Sequence, residues 1–325
     1  MPLDAEASER FAADGYLHLP QVVPPDVIQA VVAEYDGILS GLIDGIADRD
    51  LATEIRSRSS FGGRLIEFAS RTDVPVMPYF EISYPFSGLS RSTPISLGDA
   101  VFRLITCSEV LDVVEAILGP EIEVNPVQHT RIKLPATAAG AISRNGGLTA
   151  TTGWHQDLSA VLPEADKTDE VAVWIAMTDA TEENGCLVYL PGSHRSGLAF
   201  HCKPSNMASA AGSNIPSEYI FQPDTIAVPV RKGDILIHTM LTKHSSLGNT
   251  SSEIRWSFDL RYQRAGQPTG RPVFPSFIAR SRTRPEAVLI DPRVWRSMWY
   301  QARDACIAGD SPPVFNRWNV DSAYC

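Results

Sequence analysis

The sequence is short of cysteine, of long apolar runs and of positive charge, and each shortage excludes a class of protein. Its five cysteines, among 325 residues, are odd in number and lack CxxC spacing, which fits a reducing cytoplasm better than a disulfide framework. No stretch approaches the roughly 20 apolar residues that a membrane span needs. Residues 1–20 lack the basic start and apolar run of a signal peptide. We therefore expect a cytoplasmic protein without a membrane partner.

Positive charge is outnumbered by negative charge along the chain. Lysine and arginine total 28 residues against 38 aspartates and glutamates, which gives a net charge of −10. This balance gives no reason to expect a nucleic-acid partner or an anionic membrane surface. Internal repeats and low-complexity tracts are also missing from the sequence. A small-molecule ligand is the partner that remains, and both a monomer and a homodimer stay open.

What the sequence does contain is a pair of metal-binding side chains two residues apart, His155 and Asp157. On an extended segment side chains alternate with period 2, so this imidazole and this carboxylate project to one side. Together with a second histidine they would form the two-histidine, one-carboxylate ligand set of non-haem Fe(II) oxygenases. Because His-x-Asp recurs by chance in many proteins, the interpretation depends on the residues downstream.

Residues 255–262 alternate polar and apolar side chains, which predicts a strand with one polar face. The polar row is Arg255, Ser257, Asp259 and Arg261, and the apolar row is Trp256, Phe258, Leu260 and Tyr262. A polar row opposite four large apolar side chains is unusual for a strand that faces water, so we expect it to line a cavity. There Arg255 could hold a carboxylate through two parallel hydrogen bonds. The alternative is a salt bridge from Arg255 to Asp259 or Glu253.

The order of these motifs resembles the phytanoyl-CoA dioxygenase family of Fe(II)/2-oxoglutarate-dependent oxygenases. The matching segments are WHQD at 154–157, TDATEENGCL at 178–187, PGSH at 191–194, GD at 233–234, HSS at 244–246 and Arg255. The likeness runs from about residue 10 to residue 262 and leaves the last sixty or so residues uncovered. Several motifs in one order are more specific than any single motif.

The resemblance implies roles for individual residues. His155, Asp157 and His244 would bind Fe(II), and Arg255 would grip the far carboxylate of the cosubstrate 2-oxoglutarate; these four are the expected catalytic residues. His238 competes with His244 for the third ligand position, but the motif around His244 fits better. Further residues expected near the cosubstrate are Ser246, Gln156, Trp174, Lys133 and Ser257. For Trp174 plain core packing is the alternative, and for Lys133 an ordinary solvated lysine.

The activity that the resemblance implies uses O2 to oxidise an unactivated C–H bond, with 2-oxoglutarate converted to succinate and CO2. An aspartate at position 157 favours hydroxylation, because related halogenases have a small residue there; desaturation, epoxidation and rearrangement stay open. We expect a small-molecule metabolite, such as an intermediate of natural-product biosynthesis, as the substrate. An acyl-CoA or amino-acid hydroxylase of the same family and a non-catalytic metabolite-binding relative are the alternatives.

The substrate pocket is expected from residues near the metal ligands and from two loops. The individual candidates are Tyr79, Phe80, His129, Arg131, Arg144 and Asn145. Residues 77–86 are rich in aromatic side chains, for which ordinary core packing is the preferred interpretation. The Gly-rich loop 136–152 and the insertion 200–225 are candidates for a lid, with plain connectors as the alternative.

The pattern of elements predicts a single domain over residues 1–325. Many short strands with Gly/Pro punctuation after helices predict an α+β protein, mostly β, with a double-stranded β-helix (jelly roll, cupin-like) core braced by N-terminal helices. The expected parts are a helical part at about 5–119, the core at about 120–262 and a C-terminal extension at 263–325. Within them we expect helices at 24–42, 97–118 and 291–307 and a strand buried on both faces at 171–177.

Overall fold

The computed structural model describes residues 3–85, 88–138, 151–202, 214–309 and 317, and within them two antiparallel β-sheets lie behind a layer of helices. The helices that precede most of the sheet are α1 (Ala5–Asp14), α2 (Pro25–Asp44), α3 (Arg49–Arg56), α4 (Phe61–Arg71), α5 (Met77–Phe80), α6 (Asp99–Ile105) and α7 (Ser108–Leu118). The last helix described is α8 (Pro292–Ala308).

The strands form one large and one small sheet. They are β1 (Tyr16–Leu19), β2 (Glu121–Val124), β3 (His129–Lys133), β4 (Glu170–Ala176), β5 (Leu187–Tyr189), β6 (Ile226–Val228), β7 (Ile235–Thr239), β8 (His244–Ser246), β9 (Arg255–Arg264) and β10 (Phe277–Ser281). The large sheet has the order β1-β7-β4-β9-β2-β10, with β3 paired to β9 as well, and the small sheet has the order β6-β5-β8. The predicted fold class, an α+β protein with a jelly-roll core, is confirmed.

The apolar row of β9 explains why the helices cover only one face of the large sheet. Trp256 and Phe258 pack against Tyr35 of α2, with ring centroids 5.0 and 5.8 Å from the tyrosine ring. The other face of the sheet looks towards the small sheet, where Trp174 and Leu236 share an apolar cluster with Tyr189. All residues of β4 are buried, as expected for a strand with packing on both faces. The polar row of β9 therefore points into the space between the sheets.

Of the helices predicted at 97–118 and 291–307, the first is divided in two and the second is confirmed. The helix expected over 97–118 is two helices, because Cys107 adopts ψ 125° and breaks the run between Ile105 and Ser108. The predicted helix at 291–307 is confirmed by α8. Its Trp295 and Trp299 share a face, and each is 1% exposed against the body of the protein.

The cysteines were expected to suit a reducing cytoplasm better than a disulfide framework, and one of them departs from this pattern. Cys202 is disulfide-bonded, whereas Cys107, Cys186 and Cys306 are free. The sequence carried no spacing signal for this bond, because a disulfide depends on two cysteines that the fold brings together.

Among the helices of the described ranges, none is both long enough and apolar enough to cross a membrane.

A candidate metal and cosubstrate site

An antiparallel bridge brings the three expected metal ligands together. His155 and His244 exchange two backbone hydrogen bonds of 3.0 Å, so their side chains lie next to each other. Asp157 follows two residues later, and its Oδ1 is 3.6 Å from Nε2 of His155 and 4.0 Å from Nε2 of His244. One ligand atom from each residue lies within 4.8 Å of the others, and no other such group of three occurs in the ranges that the structure describes.

Backbone carbonyls orient both imidazoles. Nδ1 of His155 donates to the Gly153 carbonyl at 2.9 Å, and Nδ1 of His244 donates to the Thr242 carbonyl at 3.0 Å. Because a carbonyl only accepts, each Nδ1 carries the hydrogen and each Nε2 keeps a free lone pair facing the centre. Burial lowers the pKa of both histidines, which keeps them in the neutral form that binds metal.

The carboxylate of Asp157 is buried, with only 2% of the residue exposed, and both of its oxygens are engaged. Arg261 donates to Oδ1 at 2.7 Å, and His238 donates to Oδ2 at 2.9 Å. Burial opposes ionisation of this group, but Arg261, His244 and His238 together hold its pKa well below the usual value. Asp157 is therefore an anion, and His238 contacts a ligand of the candidate centre instead of replacing one.

Two cations lie opposite each other next to this centre. Lys133 of β3 pairs in register with Arg255 of β9, and both residues are buried. Arg255 donates to the Gly185 carbonyl at 3.2 Å and to Ser257 Oγ at 2.9 Å, and its guanidinium lies 5.5 Å from the ring centroid of Trp174.

Lys133 donates from Nζ to Ser246 Oγ at 2.8 Å and to the Leu247 carbonyl. Burial and the neighbouring Arg255 lower the pKa of Lys133 to about 7. Among the described residues no carboxylate comes within ion-pair distance of Lys133 or Arg255, so the alternative salt bridge of Arg255 with Asp259 or Glu253 is not formed there. Like charges opposite each other on paired strands are destabilising unless an anion joins them.

Of the remaining cosubstrate candidates, three contact Arg255 or Lys133, and the side-chain amide of the fourth hydrogen-bonds only to backbone groups. Trp174 is buried beneath the guanidinium of Arg255, and Ser246 and Ser257 contact the two cations. The amide of Gln156 donates to the carbonyls of Gly197 and Leu241 at 2.8 and 2.7 Å and accepts from Ala199 N at 2.7 Å. These backbone contacts engage both ends of the Gln156 amide, which leaves its role at the cosubstrate a prediction.

The substrate candidates are divided by the large sheet. His129 and Arg131 lie on the same face of β3 as Lys133, and Nδ1 of His129 is 3.4 Å from a carboxylate oxygen of Glu81. Tyr79 is partly buried. Phe80 is fully buried among the helices, 5.4 Å from the Tyr35 ring, where a ligand between the sheets cannot reach it. Arg144 and Asn145 lie outside the described residues, as do residues 139–150 and 203–213 of the two expected lid loops.

Another buried carboxylate, Glu170, lies behind Arg261 and was missed from the sequence. Glu170 at the start of β4 has no hydrogen-bond partner for either carboxylate oxygen within the described chain, and burial raises its pKa to about 8. Glu170 pairs with Gln263 of β9, two residues from Arg261, and when ionised it helps to raise the pKa of Arg261. In the sequence Glu170 is only an acidic residue just before an apolar run, which does not indicate a buried side chain. Its position near Arg261 depends on the register of β4 against β9.

Glu170→Gln is expected to stabilise the protein in a pH-dependent manner. The unfolded chain ionises Glu170 near the ordinary pKa of 4.5 and the folded chain only near 8, so the free energy of unfolding falls as pH rises between these values. The amide removes this loss, and we expect a gain of about 1–3 kcal/mol at pH 8 that fades by pH 5. Thermal melts across this range measure it, with the exposed Glu164→Gln as control; parallel melting curves at every pH would contradict it.

The fold and the residue set define the class of the protein: a jelly roll in which two histidines and one carboxylate could bind a metal, the ligand set of non-haem oxygenases. The family model described as phytanoyl-CoA dioxygenase (PhyH) matches residues 11–257. Since this covers most of the sequence, the chain belongs to the phytanoyl-CoA dioxygenase family.

Curated relatives are similar over part of their length. Phytanoyl-CoA dioxygenase domain-containing protein 1 of Rattus norvegicus is 31% identical over 190 residues, which cover 54% of this chain and 61% of the relative. The peroxisomal phytanoyl-CoA dioxygenase of Bos taurus is 32% identical over 162 residues, 48% of this chain and 44% of the relative. The chain thus spans about half the length of the curated relatives that it matches.

Solved structures show the same fold at low sequence identity. A non-heme monooxygenase, ThoJ in its apo form, has a TM-score of 0.55 at 21% identity and covers 91% of this chain and 95% of its own. EvdO2 from Micromonospora carbonacea var. aurantiaca has a TM-score of 0.52 at 20% identity, covering 84% of this chain and 97% of its own. EctD from S. alaskensis has a TM-score of 0.51 at 17% identity, with coverage of 82% and 79%.

Proposed function

We propose that the protein is an Fe(II)/2-oxoglutarate-dependent dioxygenase that hydroxylates an unactivated C–H bond of a small-molecule metabolite. The observation that carries the proposal is that two sites lie next to each other, one able to bind a metal cation and the other able to bind an anion. One is a cluster of two neutral imidazoles and a carboxylate, and the other is the buried pair of Lys133 and Arg255, to which no carboxylate of the described residues comes within ion-pair distance. A ligand that binds a metal at one end and carries a carboxylate at the other satisfies both, and 2-oxoglutarate has this form.

The donors of the cluster fit iron(II). Two imidazole nitrogens and one carboxylate oxygen form the ligand set that non-haem Fe(II) oxygenases use, and they leave further positions for cosubstrate and O2. When bound, the metal supplies the chemistry that splits O2 and oxidatively decarboxylates 2-oxoglutarate to succinate and CO2, with the second oxygen atom passing to the substrate as an alcohol. The chain's own residues keep the two imidazoles neutral and Asp157 ionised, fix the direction of all three side chains and exclude water.

The cation pair fits the far carboxylate of the cosubstrate. Arg255 presents a planar guanidinium that can bind both carboxylate oxygens, and Lys133 adds a second donor from the opposite strand. Ser246 Oγ already lies 2.8 Å from the Lys133 ammonium and would join the same carboxylate. The ring of Trp174 lies against the guanidinium, and Trp174, Arg255 and Lys133 are all buried.

Lys133 is expected to make 2-oxoglutarate binding depend on pH. Its pKa is lowered to about 7 in the free site, while a bound carboxylate favours the charged ammonium, so binding takes up a proton above this pH. Affinity for 2-oxoglutarate should fall by up to about tenfold per pH unit above 7. Calorimetric titration of the Co(II)-loaded protein at pH 6.5 to 8.5 measures it. Lys133→Met should bind more weakly and flatten the profile, and a flat wild-type profile would contradict the assignment.

The substrate is proposed to be a polar metabolite, such as an intermediate of natural-product biosynthesis. His129, Arg131 and Asp259 line the same face as the proposed cosubstrate residues, and a charged wall favours polar ligands over a long alkyl chain. An acyl-CoA substrate, which the names of the relatives offer, and an amino acid are the alternatives within the family. A protein that binds a metabolite without turnover is the alternative outside catalysis.

The decisive experiment measures succinate formed from 2-oxoglutarate by the protein reconstituted with Fe(II) under air. Slow turnover without a substrate, increased by one fraction of a metabolite extract, is the expected result, and mass spectrometry of that fraction should show a product heavier by one oxygen atom. Anaerobic samples and samples with Zn(II) in place of Fe(II) serve as controls. Metal and 2-oxoglutarate binding without succinate would favour the metabolite-binding protein, and the absence of both would end the proposal.

A further inference from the structure

The second oxygen of Asp157 is held by a chain of two buried side chains that the proposed chemistry does not yet use. His238 of β7 lies with Nε2 at 2.9 Å from Asp157 Oδ2, and its Nδ1 is 3.0 Å from the hydroxyl of Tyr189 on β5. His238 and Tyr189 are both buried, and they come from the large and the small sheet respectively. The chain Tyr189–His238–Asp157 therefore runs across the interior from one sheet to the other.

The direction of the two hydrogen bonds follows from the donors available. The hydroxyl of Tyr189 carries a hydrogen and can donate it to Nδ1 of His238 at 3.0 Å. A carboxylate oxygen accepts, so Nε2 of His238, which lies 2.9 Å from Asp157 Oδ2, carries a hydrogen. In the tautomer with its single hydrogen on Nε2, an imidazole accepts at Nδ1, and the tyrosine hydroxyl is the donor placed there. The hydroxyl thus selects the tautomer of His238 that can hold Asp157.

The hydrogen bonds from Tyr189 through His238 to Asp157 also limit how the Asp157 carboxylate can approach a metal. A carboxylate with both oxygens free can rotate and bind an ion through two oxygens at once, which would occupy a position needed by another ligand. With Oδ2 engaged by His238, Oδ1 alone is directed between Nε2 of His155 and Nε2 of His244. Arg261 at 2.7 Å from Oδ1 opposes rotation from the other side.

We propose that Tyr189 and His238 are positioning residues that fix Asp157 as a one-oxygen ligand, with the tyrosine hydroxyl setting the tautomer of the histidine. The inference rests on the proposed metal site but goes beyond its ligands. Tyr189 is itself held by the ring of Tyr16, which stacks on it at 4.3 Å with an interplanar angle of 1°. Since β1 pairs with β7 so that Tyr16 lies opposite His238, the first strand of the chain supports the positioning pair from behind.

The test compares variants that keep or remove a single hydrogen bond, with Co(II) affinity measured by calorimetry. His238→Leu removes the donor to Asp157 and should weaken Co(II) binding by about 10- to 100-fold. His238→Gln can place an amide N–H near the position of Nε2 and should recover most of this loss. Tyr189→Phe should weaken binding by about two- to tenfold, because one neutral hydrogen bond is lost.

Tyr262→Phe is the matched control, since its hydroxyl is equally buried but donates to the Ile105 carbonyl away from the metal ligands. Its Co(II) affinity should equal that of the wild type. The visible spectrum of bound Co(II) gives a second readout, because a two-oxygen carboxylate changes its coordination number; His238→Leu should shift this spectrum and Tyr262→Phe should not. Equal affinity and spectra for His238→Leu and the wild type would overturn the inference alone, whereas a wild type that binds no metal would overturn the proposed function.

Discussion

Arg255→Leu is expected to raise the concentration of 2-oxoglutarate needed for half-maximal succinate formation by roughly 100-fold or more, because loss of one partner of a buried charge contact costs about 2–5 kcal/mol. The same change should raise the thermal stability of the ligand-free protein. In the free fold Arg255 lies buried opposite Lys133, and burial lowers its pKa to about 10, which marks an uncompensated charge. Removing such a charge from a binding site stabilises the fold.

Weaker use of 2-oxoglutarate combined with higher thermal stability distinguishes an arginine that binds a ligand from one that supports the fold. Arg264→Gln is the control on the same strand, where an exposed arginine pairs with Asp169. It should change neither 2-oxoglutarate dependence nor, beyond a few tenths of a kcal/mol, stability. Arg255→Lys keeps the charge but loses the planar pair of donors, so it should fall between wild type and Arg255→Leu. A destabilised Arg255→Leu protein with unchanged 2-oxoglutarate dependence would show that the residue serves the fold.

His244→Ala should reduce metal affinity by more than about 100-fold and abolish succinate formation, because a direct ligand is worth more than its outer contacts. Of the three proposed ligands His244 is the one remote in sequence from the other two, and its imidazole is in the neutral form that binds metal without losing a proton. Atomic absorption of the purified protein and calorimetry with Co(II) measure the loss. His18→Gln, which alters a histidine paired with Asp234 outside the site, should retain full metal content.

A folded His244→Ala protein that still binds one metal tightly would mean that the site uses other ligands. Circular dichroism and thermal melts accompany the measurement, since His244 also forms the backbone bridge to His155. The bridge uses main-chain atoms and should survive the change of side chain. Metal addition should stabilise the wild type and not His244→Ala, which separates loss of binding from loss of folding.

The sequence predicted those parts of the site that depend on local pattern. The period-2 alternation over 255–262 placed Arg255 and Arg261 on a face that lines a cavity and Trp256 on the opposite face, and in the structure that opposite face packs against the helices. The direction of the His-x-Asp pair likewise needed only the extended backbone at Gln156, although Asp157 itself begins a 3-10 turn and not a longer extended segment. In both cases neighbouring residues alone determine which way the side chains point.

What the sequence could not predict depends on which strands lie side by side. Lys133 opposes Arg255 only through the register of β3 against β9, and the same kind of pairing turns Glu170 towards Arg261. Phe80 belongs to an aromatic segment that pattern alone cannot assign to a pocket or to the core, and contacts with Tyr35 decide for the core. The partners of Asp157 come from three different strands, so no spacing along the chain could reveal them.

The pairing of β1 with β7 matters for any attempt to shorten the chain before expression. β1 is the outermost strand of the large sheet, so its removal would leave the backbone groups of β7 open to pairing with another molecule. It would also take away the ring on which Tyr189 rests and the loop at Gly15, which approaches His194 so closely that an added Cβ would lie 2.4 Å from Nδ1. Trimming the amino terminus would thus damage solubility and catalysis through one and the same strand.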